Sequence, residues 1–150
     1  MGRMYSAVME KQAITTGKDL MSYTVPANIV CILHELNITN ETVEVSDTGA
    51  IQIYRASGSA GAGTATTPRA LDEGNSQAAG GTFLTDLTTD EDTVGNILVR
   101  RAWNVLTPFK WLPTPPGLIT VTGGNIIVVH SVLTLSAVDL SAELIFELIG

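Results

Sequence analysis

The runs Ile126-Ile-Val-Val-His-Ser-Val-Leu-Thr-Leu135 and Ser141-Ala-Glu-Leu-Ile-Phe-Glu-Leu-Ile149 decide the fold. In the first run, apolar residues occupy both parities, which predicts a strand that is apolar on both faces. The second run alternates, because one parity is apolar (Ala142, Leu144, Phe146, Leu148) and the other is mainly polar (Ser141, Glu143, Glu147). The pair therefore predicts the centre of a β-sandwich against which the earlier strands assemble.

Further extended segments precede this pair at frequent intervals. Residues 28–39 are apolar on both parities, residues 50–55 alternate, and residues 96–106 form a long strand pattern. Turn signals separate these segments, and no window has a helical period. The sequence thus predicts an all-β chain with about eight strands, arranged as a jelly-roll-like antiparallel β-sandwich in one domain, residues 1–150.

One segment departs from the strand pattern. Residues 56–67, Ala-Ser-Gly-Ser-Ala-Gly-Ala-Gly-Thr-Ala-Thr-Thr, contain no large side chain. Such a composition predicts a long loop or projecting arm that adds nothing to the core. Its glycines do not form a phosphate-binding loop, because no Lys-Ser/Thr pair follows and no helix begins there. A flexible loop, or one that becomes ordered at an interface, is the favoured interpretation.

The charge and apolar content narrow the classes of partner. The net charge of −7 would repel a phosphate backbone, so we expect no direct nucleic-acid partner. No stretch approaches the roughly 20 apolar residues that a membrane helix requires, and the first ten residues lack the apolar region of a signal peptide. We therefore expect no membrane partner and synthesis in the cytoplasm. The lone Cys31 lies in an apolar run and is expected to be a small buried residue.

The residues indicate no catalytic chemistry. His34 and His130 lie in apolar strands, where a bond to a neighbour or a subunit contact is favoured over a metal site, which would need a third ligand. The acidic residues Asp86, Asp90, Glu91 and Asp92 lack the spacing of a calcium loop, so a solvated turn is favoured there. We expect no enzyme activity, no catalytic residue, no cofactor and no bound metal.

The apolar surplus predicts association. The second apolar face of a strand has to be covered by loops, by the Pro- and Trp-containing segment 108–117, or by another chain. We infer a homo-oligomer or a larger shell. Arg100 and Arg101 occupy consecutive strand positions and point to opposite faces. One is expected in solvent, and the other is expected to pair with a carboxylate or to cross to a neighbouring subunit.

The order of features resembles that of small bacteriophage virion proteins whose genes lie near the head genes. The resemblance covers most of the chain and rests on Ile51-Gln-Ile-Tyr-Arg55, Thr67-Pro-Arg-Ala-Leu71, Ala102-Trp-Asn-Val105, Trp111-Leu-Pro-Thr-Pro115 and Phe146-Glu-Leu-Ile-Gly150. It implies a jelly-roll capsid decoration, or cement, protein without enzymatic activity. Such a protein would sit on the capsid surface of the virion as a trimer or dimer and stabilise the phage head by bridging major capsid protein subunits.

The candidate interface residues come from the N-terminal segment, the small-residue loop, the arginine pair and the Pro- and Trp-containing segment. They are Arg3, Tyr5, Ser57, Gly58, Gly61, Gly63, Arg100, Arg101, Phe109 and Trp111. An alternative function is a tail or fibre module that binds a receptor or glycan, for which Trp103, Trp111, Tyr54 and Tyr23 would have to form an exposed platform. A cupin-like metal enzyme ranks last, because the histidines are not clustered in the sequence.

Overall fold

The computed structural model describes residues 2–42, 47–56, 61–72, 74, 77–91, 96–132 and 138–150. Within these ranges the chain forms strands and no helix, so no described helix could span a membrane. Twelve strands are described: β1 (Arg3–Ile14), β2 (Lys18–Thr24), β3 (Val30–Asn40), β4 (Thr48–Ala56), β5 (Ala62–Thr66), β6 (Arg69–Ala70), β7 (Thr82–Thr89), β8 (Asn96–Asn104), β9 (Phe109–Trp111), β10 (Ile119–Thr122), β11 (Ile126–Ser131) and β12 (Val138–Ile149).

The strands form two antiparallel sheets. Sheet A has the order β10-β3-β12-β1-β6, with β9 also paired to β3, and sheet B has the order β5-β7-β2-β11-β4-β8. Without β5, β6 and β7, the two sheets reduce to β1-β12-β3-β9/β10 and β2-β11-β4-β8, which is the strand order of a jelly roll. The predicted jelly-roll sandwich is therefore confirmed. The three additional strands follow β4 in the chain and extend both sheets beside β1 and β2.

The core lies between the sheets and is built by strand alternation. On β12 the residues from Val138 to Leu148 alternate between buried and half-buried, as their pattern predicts. Phe146, at the centre of an aromatic group, has its ring 4.9 Å from that of Tyr23, 5.8 Å from that of Tyr5 and 6.2 Å from that of Phe83. Because Tyr5 and Phe146 come from sheet A and Tyr23 and Phe83 from sheet B, these rings join the two layers.

The outer face of sheet B is also buried at its centre, on β4 and β11. Tyr54, Ala56, Ile126 and Val128 form a second apolar cluster, separate from the main core. Val128 has no exposed surface in the single chain. The prediction that β11 is apolar on both faces is therefore confirmed, and the second face is already covered in the isolated chain.

The small-residue segment is not wholly a loop. Residues 57–60, which include the predicted interface residues Ser57 and Gly58, lie outside the described residues, but Ala62–Thr66 form β5 and pair with β7. A Cβ atom at Gly63 would lie 2.9 Å from the carbonyl oxygen of Thr85. The absence of large side chains thus permits close backbone approach to β7, so the prediction of a loop over all of residues 56–67 was wrong.

Candidate functional site

A buried hydrogen-bond network centres on Asp19 of β2, whose exposed fraction is 0%. Its Oδ1 accepts hydrogen bonds from the Tyr54 hydroxyl at 2.8 Å and His130 Nδ1 at 2.7 Å. Its Oδ2 accepts from the same hydroxyl at 2.8 Å and from the backbone N–H of Glu91 at 2.7 Å. The backbone N–H of Asp19 in turn donates to Asp90 Oδ1 at 2.8 Å. The network joins β2, β4 and β11 to the segment that follows β7.

The sheet order and one bulge create this network. Strands β2, β11 and β4 are consecutive in sheet B, which brings Asp19, His130 and Tyr54 to one face. The register of β2 against β11 shifts between Val129 and His130. As a result Leu20 and Met21, although adjacent, both belong to the core, and Asp19 turns to the outer face. The strand period of β2 in the sequence gives no signal of this burial.

The electrostatics favour a neutral phenol beside a buried carboxylate. Burial raises the pKa of Tyr54 above its ordinary value of 10.0, and the hydrogen bond to Asp19 and the nearby carboxylates raise it further. The Tyr54 hydroxyl therefore stays protonated and donates to Asp19. A buried carboxylate is tolerated when donors satisfy its oxygens, and here three groups do so.

The same residues form a possible metal-ligand set. In the described part of the chain, Asp19, Asp90 and His130 place one potential ligand atom each within 4.8 Å of one another. However, Asp19 already accepts hydrogen bonds from three protein donors. The buried Glu91 carboxylate accepts instead from the Gly61 backbone N–H at 2.6 Å, at the start of β5. Because protein donors already occupy the Asp19 carboxylate, a structural role is favoured over metal binding.

The histidines lie as predicted, whereas Glu91, one of the acidic residues after β7, does not. Both strand histidines bond to neighbouring carboxylates, as predicted: His130 to Asp19, and His34 Nε2 to Glu147 Oε2 at 3.1 Å. The predicted solvated acidic turn was wrong for Glu91. This residue is only 4% exposed, and its carboxylate accepts a hydrogen bond from the Gly61 backbone N–H next to β5. In the same group Asp86 pairs with Lys18, and Asp92 lies outside the described residues.

The edge strand β8 carries an unpaired cationic surface. It is the terminal strand of sheet B among the described strands, and Arg100 and Arg101 are both exposed. Neither arginine forms an ion pair with a described residue, so the carboxylate partner expected for one of them is not found there, and a partner on a neighbouring subunit stays a prediction. Arg101 also lines an open groove of about 670 Å³ with Lys110, Trp111 and Leu112. We call Ile97, Arg100, Arg101 and Leu112 the cationic edge.

The outer face of sheet A is acidic. Val8 is 47% exposed and lies between two shallow depressions, one lined by Glu143 and the other by Glu10. Glu143 accepts a hydrogen bond from the Ser6 hydroxyl at 2.9 Å. In the described part of the chain, neither Glu10 nor Glu143 forms an ion pair, although Arg69 lines the same depression as Glu10. We call Val8, Glu10 and Glu143 the acidic face.

Several predicted interface residues lie elsewhere. Tyr5 and Phe109 are 1% and 6% exposed, because strand alternation turns both into the core, where Phe109 packs against Trp103. Neither ring can contact a partner, so their placement at an interface was wrong. Trp111 is 5% exposed and forms the floor of the groove beside Arg101. Arg3 is exposed at the start of β1, and Gly61 and Gly63 lie against β7.

Comparisons with known proteins add little. No family model matches the sequence, and no curated protein matches it. Among solved structures, the chain is similar to a chain of the infectious bursal disease virus VP2 subviral particle, with 15% identity and a TM-score of 0.18. The match covers 99% of this chain and 41% of the viral chain, so this chain spans less than half of that length. A TM-score this low carries no weight for fold or function.

Proposed function

We propose that this chain is a structural virion protein that decorates a bacteriophage capsid and joins neighbouring major capsid protein subunits by surface contacts. The observation that carries the proposal is the presence of two oppositely charged surfaces on one jelly roll, the cationic edge and the acidic face, whose named charges form no ion pair with described residues. Arginine and exposed apolar side chains are typical of contact surfaces. The sequence resemblance to small phage virion proteins supports the same role.

The scaffold suits a protein that acts through contacts. The aromatic group joins the two sheets, and the Asp19 network fastens the segment after β7 to sheet B. Satisfied buried polar networks make a structure more rigid. A rigid body loses little conformational entropy when it binds, so more of the contact energy contributes to attachment.

The β5 edge of sheet B is the contact that we assign to the capsid. Residues Ala62, Gly63, Thr64 and Ala65 are all exposed, and they belong to β5, the terminal described strand at that end of the sheet. An exposed edge strand has free backbone N–H and C=O groups that can pair with another chain. Small side chains allow that second backbone to approach closely, as β7 does on the other side.

The test is attachment to shells that lack the protein. We expect the wild-type chain to co-sediment with such shells and to raise the temperature at which they open. The Ala65→Glu variant places a charge on the exposed β5 edge and should bind at least about tenfold more weakly. The Ala27→Glu variant adds the same charge in an exposed connection and should bind like the wild type. Failure of the wild-type chain to bind any phage shell would refute the proposed function.

The alternative of glycan binding gains no support from the described surface. The four aromatic residues named for it, Trp103, Trp111, Tyr54 and Tyr23, are at most 6% exposed. Their rings pack in the core, at the groove floor or beside His130, so they do not form an exposed stacking platform. The cupin-like alternative is also disfavoured, because His34 belongs to sheet A and His130 to sheet B.

A further inference from the structure

We propose that the cationic edge of one copy docks on the acidic face of a second copy, so that the chain assembles by edge-to-face contacts. This inference rests on the proposed function, because it gives the assembling protein a specific contact with itself. It assigns one occupant to both surfaces, a second copy of this chain.

Charge complementarity is the first argument. The chain has a net charge of −7, yet its two consecutive arginines, Arg100 and Arg101, lie exposed on the two faces of the β8 edge and pair with no described carboxylate. Glu10 and Glu143, without cationic partners among the described residues, flank Val8 on sheet A. An edge-to-face contact pairs these charges, whereas each surface alone concentrates like charge.

Apolar surface in both places is the second argument. Ile97 is 47% exposed and Leu112 is 61% exposed on the cationic edge, and Val8 is 47% exposed on the acidic face. The two depressions beside Val8 have volumes of about 370 and 420 Å³, so the face is concave on each side of the valine. Exposed apolar side chains beside charged groups are common in specific protein contacts.

The arrangement of charge also determines the symmetry of the contact. In an antiparallel pair of two β8 edges centred on Arg100 and Arg101, the arginines of the two copies would lie opposite one another. Like charges directly opposite destabilise a strand pair. Two acidic faces would likewise repel. The contact is therefore between unlike patches, and such a contact repeats from copy to copy and closes into a ring where the rotation allows.

Sedimentation of the purified protein without shells tests this contact. We expect the wild-type chain to form a discrete oligomer at micromolar concentration. Arg100→Glu and Glu10→Lys should each weaken association at least about tenfold. The controls are Arg3→Glu and Asp72→Lys, which make the same charge changes at exposed sites outside both surfaces and should associate like the wild type. Arg100 and Glu10 are themselves exposed, so the variants should remain folded.

A mixture of the two weakened variants gives the decisive result. The edge of the Arg100→Glu variant, now with a carboxylate, then meets the face of the Glu10→Lys variant, now with an ammonium group. The unchanged edge of the second variant also matches the unchanged face of the first. Recovery of a mixed oligomer supports the contact. A monomeric wild type, unaffected variants, or no recovery in the mixture would overturn it. Wild-type oligomers that behave as expected but do not bind shells would refute the proposed function and leave this contact intact.

Discussion

Replacing Asp19 tests whether the buried network stabilises the fold. Asp19→Ala removes the acceptor of the Tyr54 hydroxyl, His130 Nδ1 and the Glu91 backbone N–H. Each buried donor left without an acceptor costs about 1–3 kcal/mol, and part of that cost returns if water enters the space. We expect the free energy of unfolding to fall by about 3–5 kcal/mol in total, as for other disrupted buried charge networks.

The effect should be large on the scale of the whole protein. Domains of this size are stable by about 5–15 kcal/mol, and each kcal/mol shifts Tm by about 2–4 °C. The variant should therefore melt roughly 10 °C lower. Urea denaturation followed by tryptophan fluorescence measures the change, since Trp103 and Trp111 are both buried.

Two further variants define the origin of the loss. Asp19→Asn keeps the shape and one acceptor oxygen but places an amide against a donor, so about 1–3 kcal/mol should be lost. Asp72→Ala removes an exposed carboxylate whose described hydrogen bond stays within its own turn, and it should change stability by less than about 0.5 kcal/mol. A loss below about 1 kcal/mol for Asp19→Ala would refute the assignment of Asp19 as the centre of the network.

Three more outcomes follow from burial. Because the pKa of Tyr54 is raised in the folded chain, the unfolded chain ionises first, so stability should fall as the pH rises above about 10. The Tyr54→Phe variant should show a smaller fall in denaturant titrations between about pH 9 and about pH 11. Burial raises the pKa of the Cys31 thiol to about 12, so a thiol reagent should label it only in denaturant. Gly63→Ala brings a methyl group against the Thr85 carbonyl and should cost about 1–3 kcal/mol, whereas Ala65→Gly on the same strand should cost less than about 1 kcal/mol in the same unfolding assay.

The strand period predicted most of the architecture, because alternation records which side of a strand meets the core. It placed Phe146 inward and the carboxylates of β12 outward, and it indicated that β11 is covered on both faces. It could not predict β5, since that strand pairs through its backbone and has no large side chain to mark a face. Strand propensity reflects side-chain packing, which β5 lacks.

The Asp19 network escaped prediction for a different reason. A bulge is a property of the pairing between two strands, and neither strand alone reveals it. In a strand without the bulge, alternation would place Asp19 on the same side of β2 as Met21 and Tyr23, in the core. The register shift opposite Val129 and His130 moves it to the outer face. Polar residues that are brought together across strands in this way carry no periodic signal in the sequence.

Burial at the centre of the outer face of sheet B also changes the physical basis for self-association. The apolar surplus of the sequence predicted an oligomer, but the second face of β11 is already covered within the chain, with Val128 fully buried. The remaining candidate surfaces are charged, with isolated apolar side chains such as Val8 and Ile97. Association between them should therefore depend on salt, because ions screen exposed charges beyond about 10 Å at 0.1 M ionic strength. Raising sodium chloride from about 0.05 M to about 0.5 M should weaken the oligomer, as measured by sedimentation. Association that strengthens or stays constant would indicate an apolar contact and would contradict the edge-to-face assignment.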